Sequence, residues 1–198
     1  MENHAETPTG TQTLAKAGLH LYGEGSGSNK PSFTCNGNID MFTPSAAGIV
    51  IENLQFPASS VVPTSRINAS AAEFILRSCD FNCGANDTAA AVKFTTGAGT
   101  AKVQDCNFTS TATVKTSLPN IGISVVNAMT GLELRNVKFD GGTYGWSDYA
   151  FKGGAAVTRL YGIDLSLLNG SDFSLATGSV YRIHVKDRSG GSRVVLAA

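Results

Sequence analysis

At 198 residues, with 15 Lys and Arg balancing 15 Asp and Glu, the chain is long enough for one domain with a full core. It is too evenly charged to act on nucleic acid or a membrane surface by bulk electrostatics. No apolar run approaches the ~20 residues of a membrane span, and the opening Met1-Glu2-Asn3-His4-Ala5-Glu6-Thr7 has neither the basic start nor the apolar core of a signal peptide.

Residues 1–17 read as a polar start or cap that includes Thr11-Gln12-Thr13-Leu14. A first strand is expected at 18–22, where Leu19-His20-Leu21-Tyr22-Gly23 opens on alternating apolar residues. The glycines of 23–31 fit neither G-x-G-x-x-G nor the P-loop spacing, so this stretch reads as a corner loop and not a phosphate cradle.

From residue 48 a pattern recurs: apolar, any, apolar, any, small polar, apolar, any, Phe. It runs through Ile51-Glu52-Asn53-Leu54-Gln55-Phe56, Leu76-Arg77-Ser78-Cys79-Asp80-Phe81, Val103-Gln104-Asp105-Cys106-Asn107-Phe108 and Leu134-Arg135-Asn136-Val137-Lys138-Phe139. A weaker copy is Leu160-Tyr161-Gly162-Ile163-Asp164-Leu165. Aligning Leu21, Ile51, Leu76, Val103, Leu134 and Leu160 gives steps of 30, 25, 27, 31 and 26 residues. Self-similarity at this period marks a repeat architecture. The alternation is that of a half-buried strand. The small polar residue (Asn53, Ser78, Asp105, Asn136, Gly162) is of a type that tolerates a bend.

A second strand is expected upstream in each copy, near Ile39–Phe42, Val92–Phe94, Ile123–Val126, Ala150–Phe151 and at Val61-Val62, joined to the first by small-residue corners such as Ser45-Ala46-Ala47. Strand, tight corner, strand, bend, short strand and variable loop together describe one turn of a parallel β-helix. The whole chain, 1–198, is then one all-β domain of six or seven rungs spanning 18–185. Residues 179–185 alternate cleanly, a turn follows, and Arg193-Val194-Val195-Leu196 returns, so 186–198 close the open end as a hairpin.

The phenylalanines 56, 81, 108 and 139 should stack rung on rung. Cys79 and Cys106 share one inward slot with Leu54, Val137 and Ile163. At a rung spacing of ~4.8 Å the pair lies within Cα reach of a disulfide, but a small buried residue of a ladder is the simpler reading. No Cys/His cluster suggests a metal.

The acids Glu52, Asp80, Asp105, Glu133 and Asp164 stand singly in their rungs, whereas glycoside hydrolysis needs two carboxylates facing across a sugar. Asp140 and Asp148 flank an aromatic loop and either face one another or cap their own turns. His4, His20 and His184 are too scattered for a triad. The triplets that begin at Asn68, Asn86, Asn107 and Asn169 match a glycosylation acceptor and carry little weight in a chain so rich in Asn, Ser and Thr. The loop at 140–149 holds the only Trp and two of the five Tyr. Tyr144, Trp146 and Tyr149 are the candidate binding residues: they either fold back over the solenoid or anchor a partner.

The repeats resemble right-handed parallel β-helix proteins of the pectate-lyase and tailspike class. Within the opening, His4-Ala5-Glu6-Thr7, residues 17–25 and Lys30-Pro31-Ser32-Phe33-Thr34 are similar to β-helix proteins of tailed bacteriophages, encoded among capsid and other virion genes. That resemblance implies a right-handed parallel β-helix and a non-enzymatic structural virion protein. It would be a capsid decoration or cement protein on the virion surface, made in the host bacterial cytoplasm. The expected partners are the major capsid protein, copies of itself as a homotrimer, or both, with no nucleic acid, membrane, small-molecule substrate or cofactor. In that subgroup a strand would precede His4. The alternative is a carbohydrate-binding or carbohydrate-degrading β-helix.

Overall fold

The computed structural model describes residues 4–197 except 60, 62, 85–89, 96–97, 112–120, 144, 147, 169–172 and 188–192, and side chains through His184. Inward alternation and the small-polar bend together set the architecture, an all-β parallel solenoid of about five complete turns with partial turns at both ends. This is close to the six or seven rungs expected. A seven-stranded sheet stacks Gln12–Leu14, Asp40–Pro44, Ser65–Ala69, Ala90–Phe94, Ile121–Val125, Phe151–Gly153 and Phe173–Ser174 in sequence order. A fourteen-stranded sheet has two arms. Its first arm runs from His20–Tyr22 through Val50–Glu52, Phe74–Arg77, Thr100–Gln104 and Gly131–Arg135. Its second arm runs from Ala5–Glu6 through Ser32–Phe33, Gln55–Phe56, Asp80–Cys83, Asn107–Ser110 and Lys138–Asp140. Both arms meet in the continuous strand Leu160–Leu168.

The two arms are separated by one left-handed residue per turn: Asn53, Ser78, Asp105, Asn136 and Asp164, with φ between 49° and 60°. Short polar side chains visit this region at the least cost, and some also bridge rungs: the Asn136 amide donates to Asp105 Oδ1 at 2.7 Å. In the fifth copy the register corrects the sequence alignment. Leu134 pairs with Gly162, not Leu160, so Asp164 makes the bend and fully buried Leu165, not Ile163, continues the slot of Leu54, Cys79, Cys106 and Val137. Gly162 points inward where a Cβ would lie 3.0 Å from Leu165 Cδ1 and 3.1 Å from Ile183 Cγ2. Those two side chains fill the volume that a large residue occupies in the other rungs.

The expected strand at Val61-Val62 is displaced. Val61 lies outside any strand and residue 62 outside the described residues; the strand is Ser65–Ala69, beyond Pro63. Its polar sequence hid it, because only Ile67 and Ala69 supply apolar burial while Arg66 is also fully buried. Ladder pairing already begins within the first 17 residues, at Ala5–Glu6 and Gln12–Leu14. At the far end Tyr181–Asp187 pairs parallel with Leu160–Leu168 and antiparallel with Arg193–Ala197, the expected closing hairpin.

The core is one continuous column. Phe56, Phe81, Phe108 and Phe139 stack with centroid separations of 4.6, 4.7 and 5.2 Å and interplanar angles of 5°, 5° and 16°. Each such pair adds about 0.5–1.5 kcal/mol beyond its burial. Cys79 and Cys106 lie in the adjacent column as free, fully buried thiols, each near a carbonyl two residues back: Arg77 O at 3.3 Å and Gln104 O at 3.1 Å. The pairing of Asp80 with Asn107 puts the two cysteines in register on neighbouring rungs.

Candidate functional site

The loop at 140–149 leaves the second arm and crosses back toward the seven-stranded sheet. Asp140 Oδ1 accepts the Gly142 N–H at 3.0 Å, a side-chain turn of the kind short acids favour. Gly142 sits at φ +63° against the Ser110 carbonyl, where no side chain fits, and buried Ser110 donates from Oγ to Gly145 O at 3.3 Å. Trp146, next in the chain, turns inward. It is 6% exposed and belongs to the chain's own core. Tyr149 is half-buried, with Lys152 Nζ 5.7 Å from its ring centroid, and Lys152 also bonds Asp148 at 2.6 Å. Tyr144 lies outside the described residues. The structure therefore places Trp146 and Tyr149 in one loop but does not present them as a shared exposed platform.

Asp140 caps its own turn through the Gly142 N–H, whereas Asp148 is held by Lys152 four residues on in an ion pair. The other acids also have partners. Asp80 holds Lys30 at 2.7 Å and the Asn107 amide at 2.6 Å; Glu133 faces Lys102 at 3.7 Å. Glu52 accepts from Arg77 at 2.7 Å and lies 2.9 Å from His20 Nε2. Burial alone would raise the Glu52 carboxyl. The Arg77 and His20 hydrogen bonds and charges outweigh burial and hold it below its ordinary value. These pairs tie successive rungs together across the outer faces. Among the described residues no three His, Cys, Asp or Glu side chains are grouped to hold a metal ion, and no helix is long and apolar enough to cross a membrane.

Three features were hidden in the sequence. Arg66, fully buried, donates to the carbonyls of Pro57 (3.2 Å) and Asn82 (3.1 Å), tying the start of one variable loop to the strand Asp80–Cys83 of the next turn. Lys30 reaches Ser78 O at 2.7 Å as well as Asp80, so the glycine-rich loop at 23–31 is anchored at its end. That loop also offers carbonyls: Asn53 donates to Gly23 O and Gly25 O, and Gln55 to Gly27 O. Lys93, on the outer face of the seven-stranded sheet, is half-buried, and its ammonium is pushed down by that burial against the opposing pull of Asp40. Each partnership spans more than one repeat or joins side chain to main chain, so no local spacing announces it.

Hollows remain as well. One of about 450 Å³ lies on the outer face of the second arm between Gln55, Asp80, Asn82, Asn107, Thr109 and Lys138. Another, about 690 Å³, lies at the N-terminal end of the column among Glu6, Leu14, Leu21, Phe33, Phe42 and Leu54. The class of protein defined by this geometry is a parallel β-solenoid with cross-braced faces. Comparison with protein-family models, with curated proteins and with solved structures returns no match.

Proposed function

We propose that the chain is a non-enzymatic structural virion protein of a tailed bacteriophage, a decoration or cement protein on the capsid surface. The observation that carries the reading is the engagement of the candidate acids. Glu52, Asp80, Asp140 and Asp148 each hold a cation or a backbone N–H of the same chain, which suits a rigid brace better than a site awaiting substrate. The resemblance of the opening residues to phage β-helix proteins supports the phage assignment. Its partners on this reading are the shell protein and copies of itself. A trimer at local three-fold positions would let one patch serve every subunit.

The second reading is a carbohydrate-binding solenoid, favoured by the amide-rich hollow on the second arm. One pair of assays separates the two. Incubation with capsular and pectic polysaccharides should give no new reducing ends, no unsaturated products and no retention, while the protein should sediment with intact particles. Turnover that disappears in Asp80→Asn or Asp140→Asn would reverse the assignment.

A further inference from the structure

On the outer face of the seven-stranded sheet Lys93 stands in register with Asn68 on one neighbouring rung and Ser124 on the other. Stacked strands lie ~4.8 Å apart, a gap that the flexible four-carbon stem of a lysine spans. Asn68 is held at both ends of its amide. Its Nδ2 donates to Asp40 Oδ2 at 2.7 Å, and its Oδ1 accepts from Thr95 Oγ1 at 2.8 Å. An ionised Asp can only accept, so the amide has one orientation. Asp40 is itself fixed by the Ser65 hydroxyl on its other oxygen. Asp40, Asn68, Lys93 and Thr95 are all half-buried. Lys93 is the unmatched member of the group. Among the described residues it makes no ion pair and no hydrogen bond, although Asp40 lies near enough to attract it. A rung built only for packing would meet a half-buried ammonium with a carboxylate. Here burial outweighs the pull of Asp40 and favours the neutral amine.

We propose that Lys93 and Asn68 join in an intramolecular isopeptide bond that the folded chain forms on itself. The neutral Lys93 Nζ attacks Asn68 Cγ. The carbonyl electron pair moves onto Oδ1, where the Thr95 hydroxyl already donates and steadies the developing oxyanion. Asp40 takes one proton from the attacking nitrogen and passes it to Nδ2, which it already contacts. The Cγ–Nδ2 bond then breaks and ammonia leaves. One amide replaces another, so the step needs no oxidant, cofactor or energy source. It runs once per chain, so a minor neutral fraction of the amine suffices when fixed neighbours replace a chance encounter. The product ties two consecutive turns through residues 25 apart, a covalent addition to the ladder of main-chain bonds. The inference does not rest on the virion reading.

The test is the intact mass of the purified, folded chain, followed over days at neutral pH. The parent is expected to become lighter than its sequence by the mass of one ammonia. Lys93→Arg, which keeps the charge and loses the nucleophile, should hold its full mass. Asp40→Asn should lose ammonia at least tenfold more slowly than the parent. Trypsin locates the bond without any variant: residues 67–77 should be released joined to 78–102, because Lys93 is no longer a cleavage site. A folded parent that keeps its full mass would overturn the proposal. So would an ammonia loss that persists in Lys93→Arg, or a parent digest in which 67–77 and 78–93 appear as separate, unmodified peptides. Equal rates in Asp40→Asn and the parent would overturn the proton transfer assigned to Asp40.

Discussion

Replacing Phe81 with Ala tests whether the stacked phenylalanines are the principal support of the column. Phe81 is 2% exposed and lies between the rings of Phe56 and Phe108, at 4.6 and 4.7 Å and nearly parallel to both. Truncating a buried Phe costs about 3–5 kcal/mol through lost transfer energy and the cavity left behind. Two stacking partners on opposite sides put this site near the top of that range. Phe33 is the internal control. It is half-buried at the N-terminal end and meets Phe56 at 6.5 Å and 33°, so Phe33→Ala should cost about 1–2 kcal/mol. The gap of ~2–3 kcal/mol is more than tenfold in the folding equilibrium. Urea unfolding followed by circular dichroism and by the emission of the single, buried Trp146 would read it. Because each rung contacts only its neighbours, the two probes should also separate in Phe81→Ala, as the turns on either side lose their coupling. Equal losses at Phe81 and Phe33 would refute the reasoning.

Trp146→Ala should lower stability by about 3 kcal/mol or more, since the ring sits in the chain's own core; an unchanged melting temperature would place the ring outside it. Cys79→Val should be mild and Cys79→Asp severe, because the buried slot offers a charge no partner. Burial, and then contact with Cys79, pushes the Cys106 thiol up, so iodoacetamide at about pH 8 should label it only after unfolding. The lowered Glu52 carboxyl adds stability that is complete above the ordinary carboxylate range and is lost as pH falls through its folded value. Glu52→Gln should therefore melt lower than the parent at neutral pH, and the difference should shrink as the pH is taken below the ordinary carboxylate range. Glu73 is exposed with φ +61°, where the two preceding turns place Gly18 and Gly48. Glu73→Gly should raise stability by up to about 1 kcal/mol, as relief of the left-handed conformation exceeds the backbone entropy of glycine.

The repeat was legible because stacking in register demands the same kind of residue at the same slot in every turn. Ile51, Leu76, Val103 and Leu134 line up for that reason, and so do the bends at Asn53, Ser78, Asp105 and Asn136. Legibility failed where a slot was filled from elsewhere. Gly162 is inward because Leu165 and Ile183 occupy its space, and a pattern that seeks large residues slips by two positions there. It failed again at Ser65–Ala69, whose buried Arg66 reads as surface until the carbonyls of Pro57 and Asn82 are seen around it. For the 140–149 loop, composition pointed to large aromatics with a purpose. The loop is held by Gly142 packing on Ser110 and by Ser110 Oγ on Gly145 O, contacts between residues more than 30 apart that no spacing rule encodes.

The most direct measurement of the proposed role is the thermal stability of particles lacking this protein, with and without its addition. The account predicts saturable binding at a fixed number of copies per particle and a higher temperature of shell disassembly. Particles that neither bind the protein nor change their disassembly temperature would contradict it.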